Sequence, residues 1–155
     1  FLYDNDKAPH YNEIDIEFSQ WGFKDYPNTQ YVVHTGAKRF IRERFQSMLS
    51  GTHTTQSILW APDSIVFESY HGHYDPEQQS REPYQRWVYR GRHNPSPENS
   101  KVHLNLWLRD GRSPSSKSAK EIIISNFTFQ PLEETKPYLT RQGVSKEVIP
   151  VGIKE

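Results

Sequence analysis

The sequence contains no cysteine, which excludes disulfide bonds and thiolate metal ligands. Long apolar runs are also missing, since no stretch reaches the roughly 18 to 20 residues of a membrane-spanning helix, so we expect no membrane association. Neither sign of charge is in excess, because 19 Lys and Arg balance 19 Asp and Glu. A chain without net charge has no overall field that attracts polyanions, so nucleic acid is not expected as a partner.

Apolar side chains are also scarce, and aromatic residues make up for them. Hydrophobic residues account for only 34% of the 155 residues, whereas aromatic residues reach 14%. A core must therefore rely on Trp, Tyr and Phe, which bury large areas and also suit an aromatic-lined groove. The length fits a single domain.

Alternating apolar and polar residues, bounded by Pro, Gly, Asn and Ser, recur through most of the chain and predict an all-β, antiparallel fold. The predicted strands are 13–18, 29–34, 55–60, 65–70, 84–89, 101–109 and 121–129. The apolar residues of segment 38–49 fit one face of a helix about as well as a strand with a turn, so the sequence does not decide between the two. Predicted surface loops are 75–83, 92–100 and 110–120, and 144–153 is either an edge strand or part of a tail.

The most distinctive segment places three carboxylates at alternate positions of one predicted strand: Glu13, Asp15 and Glu17. A strand repeats every two residues, so the acids share one face and the apolar residues face the core. Those apolar residues are Ile14, Ile16 and Phe18. Neighbouring acids raise one another's pKa, which favours a site with one protonated and one ionised carboxyl group. The alternative is a solvated face whose acids are balanced by Lys or Arg on adjacent strands.

The spacing of the two glutamates is compatible with sugar-cleaving chemistry. Glu13 and Glu17 are four residues apart, which is about 13 Å between Cα atoms on an extended strand. Their long side chains can lean toward each other, so the retaining separation of about 5 to 5.5 Å is reachable. The sequence does not distinguish it from the inverting separation of roughly 6.5 to 9.5 Å.

Further candidate residues follow from alternation in the other strands. In 102–109 the aliphatic residues form a predicted core face, which leaves Asn105 and Trp107 on the cleft face as candidate sugar contacts. Gln30 and His34 share a face of the strand after the acids and are candidate groove residues. Trp21, just beyond the acid strand, is a candidate sugar platform. For Trp107 the alternative is ordinary packing, and for His34 it is a structural or surface role.

Several segments in order resemble glycoside hydrolase family 16, the laminarinase and lichenase family. Residues 13–17, Glu-Ile-Asp-Ile-Glu, resemble its acid motif. Residues 55–67 resemble its strand, Trp-x-Pro-Asp turn and following strand, and 105–107, Asn-Leu-Trp, resemble a later strand. Residues 122–129 take the place of its closing strand. The resemblance covers residues 1–130 as the C-terminal part of a catalytic domain, and leaves 131–155 as a tail or extra edge strand.

The resemblance implies a concanavalin A-like jelly-roll β-sandwich and a retaining, endo-acting hydrolase of a β-linked polysaccharide such as a β-glucan or galactan. It implies that Glu13 is the nucleophile, Glu17 the acid/base and Asp15 the group that tunes their protonation. No cofactor is implied, the expected partner is the polysaccharide, and the expected location is extracellular or periplasmic. The competing interpretations are a lectin-like carbohydrate-binding module and an inactive fragment on the same scaffold.

The chain departs from the family pattern at three places. The acid strand begins near residue 13 rather than mid-domain, so we expect the N-terminal half of the sandwich to be missing and exposed strand edges to favour self-association. Thr54 stands where the family often has a histidine. Asn126 stands where many members have an aspartate associated with structural calcium, which weakens the case for calcium.

His71, His73 and Asp75 form a candidate metal group. The candidate is weak because Gly72 and Asp75-Pro76 indicate a turn and not a rigid site, so we predict no metal site.

Overall fold

The computed structural model of the protein describes residues 1–6, 12–36, 39–74, 81–97 and 99–132. These residues contain a 3₁₀ turn, Arg109–Gly111, and no α-helix, so the predicted all-β class is confirmed. The described ranges contain eight strands: β1 Leu2–Tyr3, β2 Ile14–Glu17, β3 Thr29–Gly36, β4 Arg39–Phe45, β5 Thr54–Ala61, β6 Ser64–His71, β7 Gln85–Tyr89 and β8 Lys101–Val102. Within the same ranges, no helix has the length and apolarity needed to cross a membrane.

The strands form two antiparallel sheets. The larger sheet has the order β4-β3-β2-β1-β8, and the smaller one has the order β5-β6-β7. Every paired neighbour runs antiparallel. Two antiparallel sheets are compatible with the predicted β-sandwich, while the jelly-roll order of connections stays a prediction.

Aromatic residues from both sheets build the core, as the composition suggested. The buried cluster joins residues of the larger sheet to residues of the smaller one: Ile14, Tyr31, Val33, Ile65, Phe67 and Tyr89. The Tyr31 ring stacks on Phe67 with 5.0 Å between centroids, and Phe67 stacks in turn on Trp87 at 5.4 Å. The Tyr31 hydroxyl also forms a 2.5 Å hydrogen bond with that of Ser69. The two sheets therefore pack face to face around stacked rings.

The Trp-x-Pro-Asp segment forms the tight turn that the sequence predicted. Strand β5 ends at Ala61 and β6 begins at Ser64, so Pro62 and Asp63 form the connection. Proline suits this position because its fixed φ favours a turn and it has no N–H to leave unpaired. Trp60, the last large side chain before the turn, donates its indole N–H to the Pro95 carbonyl at 3.0 Å.

Segment 38–49, left undecided between helix and strand, contains strand β4. Seven residue pairs join β4 to β3, from Thr29 opposite Phe45 to Gly36 opposite Arg39. Phe45 packs against the core. Pairing with β3 satisfies the backbone groups of residues 39–45 that face β3, and the alternation of side chains along a strand then separates core-facing Phe45 from Arg44 beside it.

The strand predictions for 101–109 and 121–129 are wrong over most of their length. Only Lys101–Val102 is a strand, and 121–129 contains none. The predicted core face of the first segment is exposed instead: Val102, Leu104, Leu106 and Leu108. The sequence has the alternation of a strand, but a ladder also needs a partner, and among the described residues β8 pairs only with the two-residue strand β1.

Phe18 and the predicted loops complete the comparison of the strands with the sequence pattern. Phe18, expected in the core, is 52% exposed because β2 ends at Glu17. The described residues of 92–100 form no strand. Segment 110–120 contains the end of the 3₁₀ turn and no strand, so both segments are loops as predicted. Residues 75–80 and 133–155, which include most of the predicted loop 75–83, Asp75 and the possible edge strand 144–153, lie outside the described residues.

Candidate active site

Strands β2 and β3 place the predicted acids and groove residues on one side of the larger sheet. Glu17 lies opposite Gln30 in the ladder. The His34 backbone N–H donates to the Glu13 carbonyl at 2.9 Å, which sets these two residues opposite each other. Because β2 alternates, this side faces away from the buried cluster around Ile14. We call it the acid face: Glu13, Asp15, Glu17, Gln30 and His34.

Asp15 and His34 form a shielded pair at the centre of the acid face. Their Oδ2 and Nε2 atoms are 3.0 Å apart, and their side chains are only 4% and 16% exposed. The other oxygen, Asp15 Oδ1, is buried without a hydrogen-bond partner among the described residues. Burial raises the pKa of Asp15, and the charge of Glu13 adds to that rise, while the hydrogen bond from His34 opposes it.

The pKa of His34 is also raised. Burial alone would lower it, but the hydrogen bond and charge of Asp15, together with the charges of Glu13 and Glu17, outweigh burial. A histidine with a raised pKa next to a carboxylate holds its proton to higher pH. The acid face therefore contains a protonatable donor directed at Asp15.

Glu17 is oriented by two N–H donors that meet at one of its oxygens. The Trp21 indole N–H donates to Glu17 Oε2 at 2.9 Å, and the Gln30 amide donates to the same atom. Burial raises the pKa of Glu17, the charge of Asp15 adds to the rise, and the two donors oppose it. A glutamate with a raised pKa and a fixed orientation has the properties of a general acid.

An aromatic pair lies beside Glu17. Trp21 meets Trp107 edge to face, with ring centroids 5.9 Å apart. The Arg109 guanidinium lies 5.7 Å from the Trp21 ring centroid and donates to the Trp21 carbonyl. The structure thus joins two of the predicted sugar contacts to the acids, although the segment that carries Trp107 is not a strand. Asn105 is exposed on this segment, and its predicted sugar contact stays a prediction.

Sequence reasoning missed Arg44, which belongs to the same set of contacts. Its Nε donates to Gln30 Oε1 at 2.7 Å, and its guanidinium lies 4.0 Å from the Tyr26 ring centroid. Arg44 lies opposite Gln30 in the β3–β4 pairing. No clear sequence signal pointed to Arg44, because it lies in segment 38–49, whose pattern fitted a helix as well as a strand.

No family model, no curated protein and no solved structure matches this chain. The resemblance described above therefore stays an expectation.

The acid face also contains a group of possible metal ligands. Glu13, Asp15 and His34 each offer one ligand atom, and these atoms lie within 4.8 Å of one another. A cation bound through His34 Nε2 and Asp15 Oδ2 would replace the hydrogen bond between them, and the absence of a metal site stays a prediction. Of the weaker candidate group, His71 and His73 are described, whereas Asp75 is not.

Proposed function

We propose that this chain acts as a retaining, endo-acting glycoside hydrolase on a β-linked polysaccharide of the β-glucan or galactan type. The observation that carries the proposal is Glu17: its pKa is raised by burial and its orientation is held by Trp21 and Gln30. Glu13 lies on the same face one residue before β2. Glycoside hydrolysis requires two carboxyl groups that lie in different environments and reach the same glycosidic bond.

The proposed reaction is a double displacement. The Glu13 carboxylate attacks the anomeric carbon while Glu17 donates its proton to the departing glycosidic oxygen. Water then hydrolyses the glycosyl-enzyme bond, with Glu17 now accepting the proton. Asp15, which is hydrogen-bonded to His34, lies between the two glutamates in sequence, and its charge raises the pKa of Glu17.

The aromatic pair supports a sugar substrate. Trp107 is 61% exposed and lies against Trp21, whose indole nitrogen is bonded to Glu17. An exposed indole beside an acid suits stacking on the apolar face of a pyranose ring. A polysaccharide substrate also agrees with the extracellular or periplasmic location that we propose.

Reducing-sugar release from β-glucans, agars, carrageenans and xyloglucan tests the proposal. We expect Glu13→Ala to abolish hydrolysis and to leave polysaccharide binding largely intact, because the nucleophile acts in bond making. Glu121→Ala, which removes an exposed acid far along the chain, is the matched control. Full hydrolysis by Glu13→Ala would contradict the assignment, and binding without any hydrolysis by the unaltered chain would favour a lectin-like module.

A further inference from the structure

The side-chain amide of Gln30 is held at both of its ends. Its nitrogen donates to Glu17 Oε2, and its oxygen accepts the Nε–H of Arg44 at 2.7 Å. Arginine is a donor only, so an amide oxygen must face it and the amide nitrogen must face Glu17. Arg44 therefore decides which end of the Gln30 amide the acid meets.

Arg44 is itself fixed by two contacts. It lies opposite Gln30 in the ladder between β3 and β4, and its guanidinium lies over the Tyr26 ring. Tyr26 belongs to the turn after the acid strand, where the Gln20 amide donates to the Tyr26 carbonyl at 2.8 Å and to the Lys24 carbonyl at 3.1 Å. The contacts thus run from an ordered turn through Arg44 and Gln30 to Glu17.

We infer that Gln30 and Arg44 are positioning residues that keep Glu17 Oε2 occupied and leave Oε1 as the oxygen that carries and delivers the proton. The inference rests on the proposed role of Glu17 as acid/base. In a protonated carboxyl group the carbonyl oxygen is the stronger acceptor, so the oxygen that accepts two N–H groups is favoured as the carbonyl and the O–H is favoured on the other oxygen. Trp21 and Gln30 supply those two N–H groups.

Without Arg44 the amide of Gln30 is able to turn over. Its oxygen would then face Glu17 and accept a hydrogen bond from the protonated carboxyl group, which would direct the proton away from the substrate. The turned amide would also raise the pKa of Glu17, because it would stabilise the protonated form and no longer the charged one. Both effects weaken a general acid that must release its proton to a leaving group.

The other charged groups around Glu17 must be held constant in a test. Asp15 raises its pKa and His34 lowers it. Glu13 shares the acid face, and Arg109 contacts Trp21. None of these residues is changed by a substitution on β4. Arg42 is the matched control, because it is an exposed arginine on the same side of β4 that contacts Phe40 with its guanidinium 5.1 Å from the ring centroid.

The experiment compares Arg44→Met with Arg42→Met in two readouts. The first is the carbon-13 NMR titration of the Glu17 carboxyl group, which needs no activity. We expect Arg44→Met to raise the pKa of Glu17 by about one unit, the size of a hydrogen bond to a charged group, and Arg42→Met to change it by less than half of that. Arg44→Lys, which can still donate to Gln30, should return the pKa toward that of the unaltered chain.

The second readout is kinetic. We expect Arg44→Met to lower kcat on polysaccharide by about tenfold or more with little change in KM, since the acid is misdirected rather than substrate lost. Aryl glycosides with good leaving groups should be spared because they need less protonation. The basic limb of kcat/KM should shift to higher pH together with the NMR titration.

The outcomes separate this inference from the proposed function. If no polysaccharide is hydrolysed by the unaltered chain, the proposed function fails and the NMR titration alone decides whether Arg44 controls Glu17. Equal pKa shifts in Arg44→Met and Arg42→Met, or no shift in either, would overturn the inference. If Arg44→Met does not fold, Gln30→Met provides the same titration, with a raised Glu17 pKa expected and an unchanged one contradicting the positioning role.

Discussion

Replacing His34 by leucine should destabilise the protein in a way that depends on pH. The leucine side chain cannot donate to Asp15, so the buried carboxylate loses the partner that lies 3.0 Å from its Oδ2. Because the Asp15 side chain is only 4% exposed, water replaces that donor poorly. We therefore expect the stability of the unaltered chain and that of the variant to differ most at pH values where His34 is charged in the unaltered chain.

The size of the effect follows from the burial of the pair. A hydrogen bond to a charged group contributes about 1.5 to 3 kcal/mol. In a chain of this length each kcal/mol changes Tm by roughly 2 to 4 °C, so the expected loss is about 3 to 12 °C. The pKa of Asp15 should rise further in the variant, because the hydrogen bond that lowers it is gone.

The direction of the pH dependence follows from the raised pKa of His34. Its stabilising contribution is fully present below its ordinary value of 6.5 and is lost as the pH rises through its folded value. Asp15 sets the acidic end of the range, because its folded pKa lies above the ordinary 3.8 and rises further in the variant, so the difference appears only as Asp15 ionises. The difference in Tm should therefore be largest near pH 6 and should narrow toward about pH 9.

Thermal melts between about pH 5 and pH 9 measure this difference. His93→Leu is the control, because His93 is an exposed histidine on a loop away from the acid face. It should change Tm little at any pH. The reasoning would be refuted if His34→Leu and His93→Leu had equal effects, or if the His34→Leu difference grew from pH 6 to pH 9.

Three further predictions test the fold, the groove and the assembly. Phe67→Ala should lower the free energy of unfolding by about 3 to 5 kcal/mol in urea titrations, because the ring is fully buried between Tyr31 and Trp87; a loss below about 1 kcal/mol would contradict face-to-face packing. Trp107→Ala should raise KM for polysaccharide by about 3- to 10-fold and change kcat less, and an unchanged KM would remove Trp107 from the site. Size-exclusion chromatography should show concentration-dependent association, which charges placed at exposed Leu104 and Ile123 should reduce; a monomer at every concentration would contradict it.

The sequence alone predicted the all-β class, the limits of most strands and the shared face of the acids. These features are local, because a period of two in β2, β3 and β6 is set by the backbone geometry of a strand and can be read within a few residues. The turn at Pro62 and Asp63 was predictable for the same reason, since proline restricts the backbone wherever it occurs.

Only the tertiary structure decided which segments became strands and which side chains met. Segment 103–108 alternates and segment 39–45 does not, yet 39–45 pairs along β3 and 103–108 forms no strand in the described part of the chain. The contact of Arg44 with Gln30 depends on the register between β3 and β4, and that of Trp21 with Trp107 joins residues far apart in sequence. Hydrogen-bond partners across a ladder are chosen by the whole fold, so no local pattern specifies them.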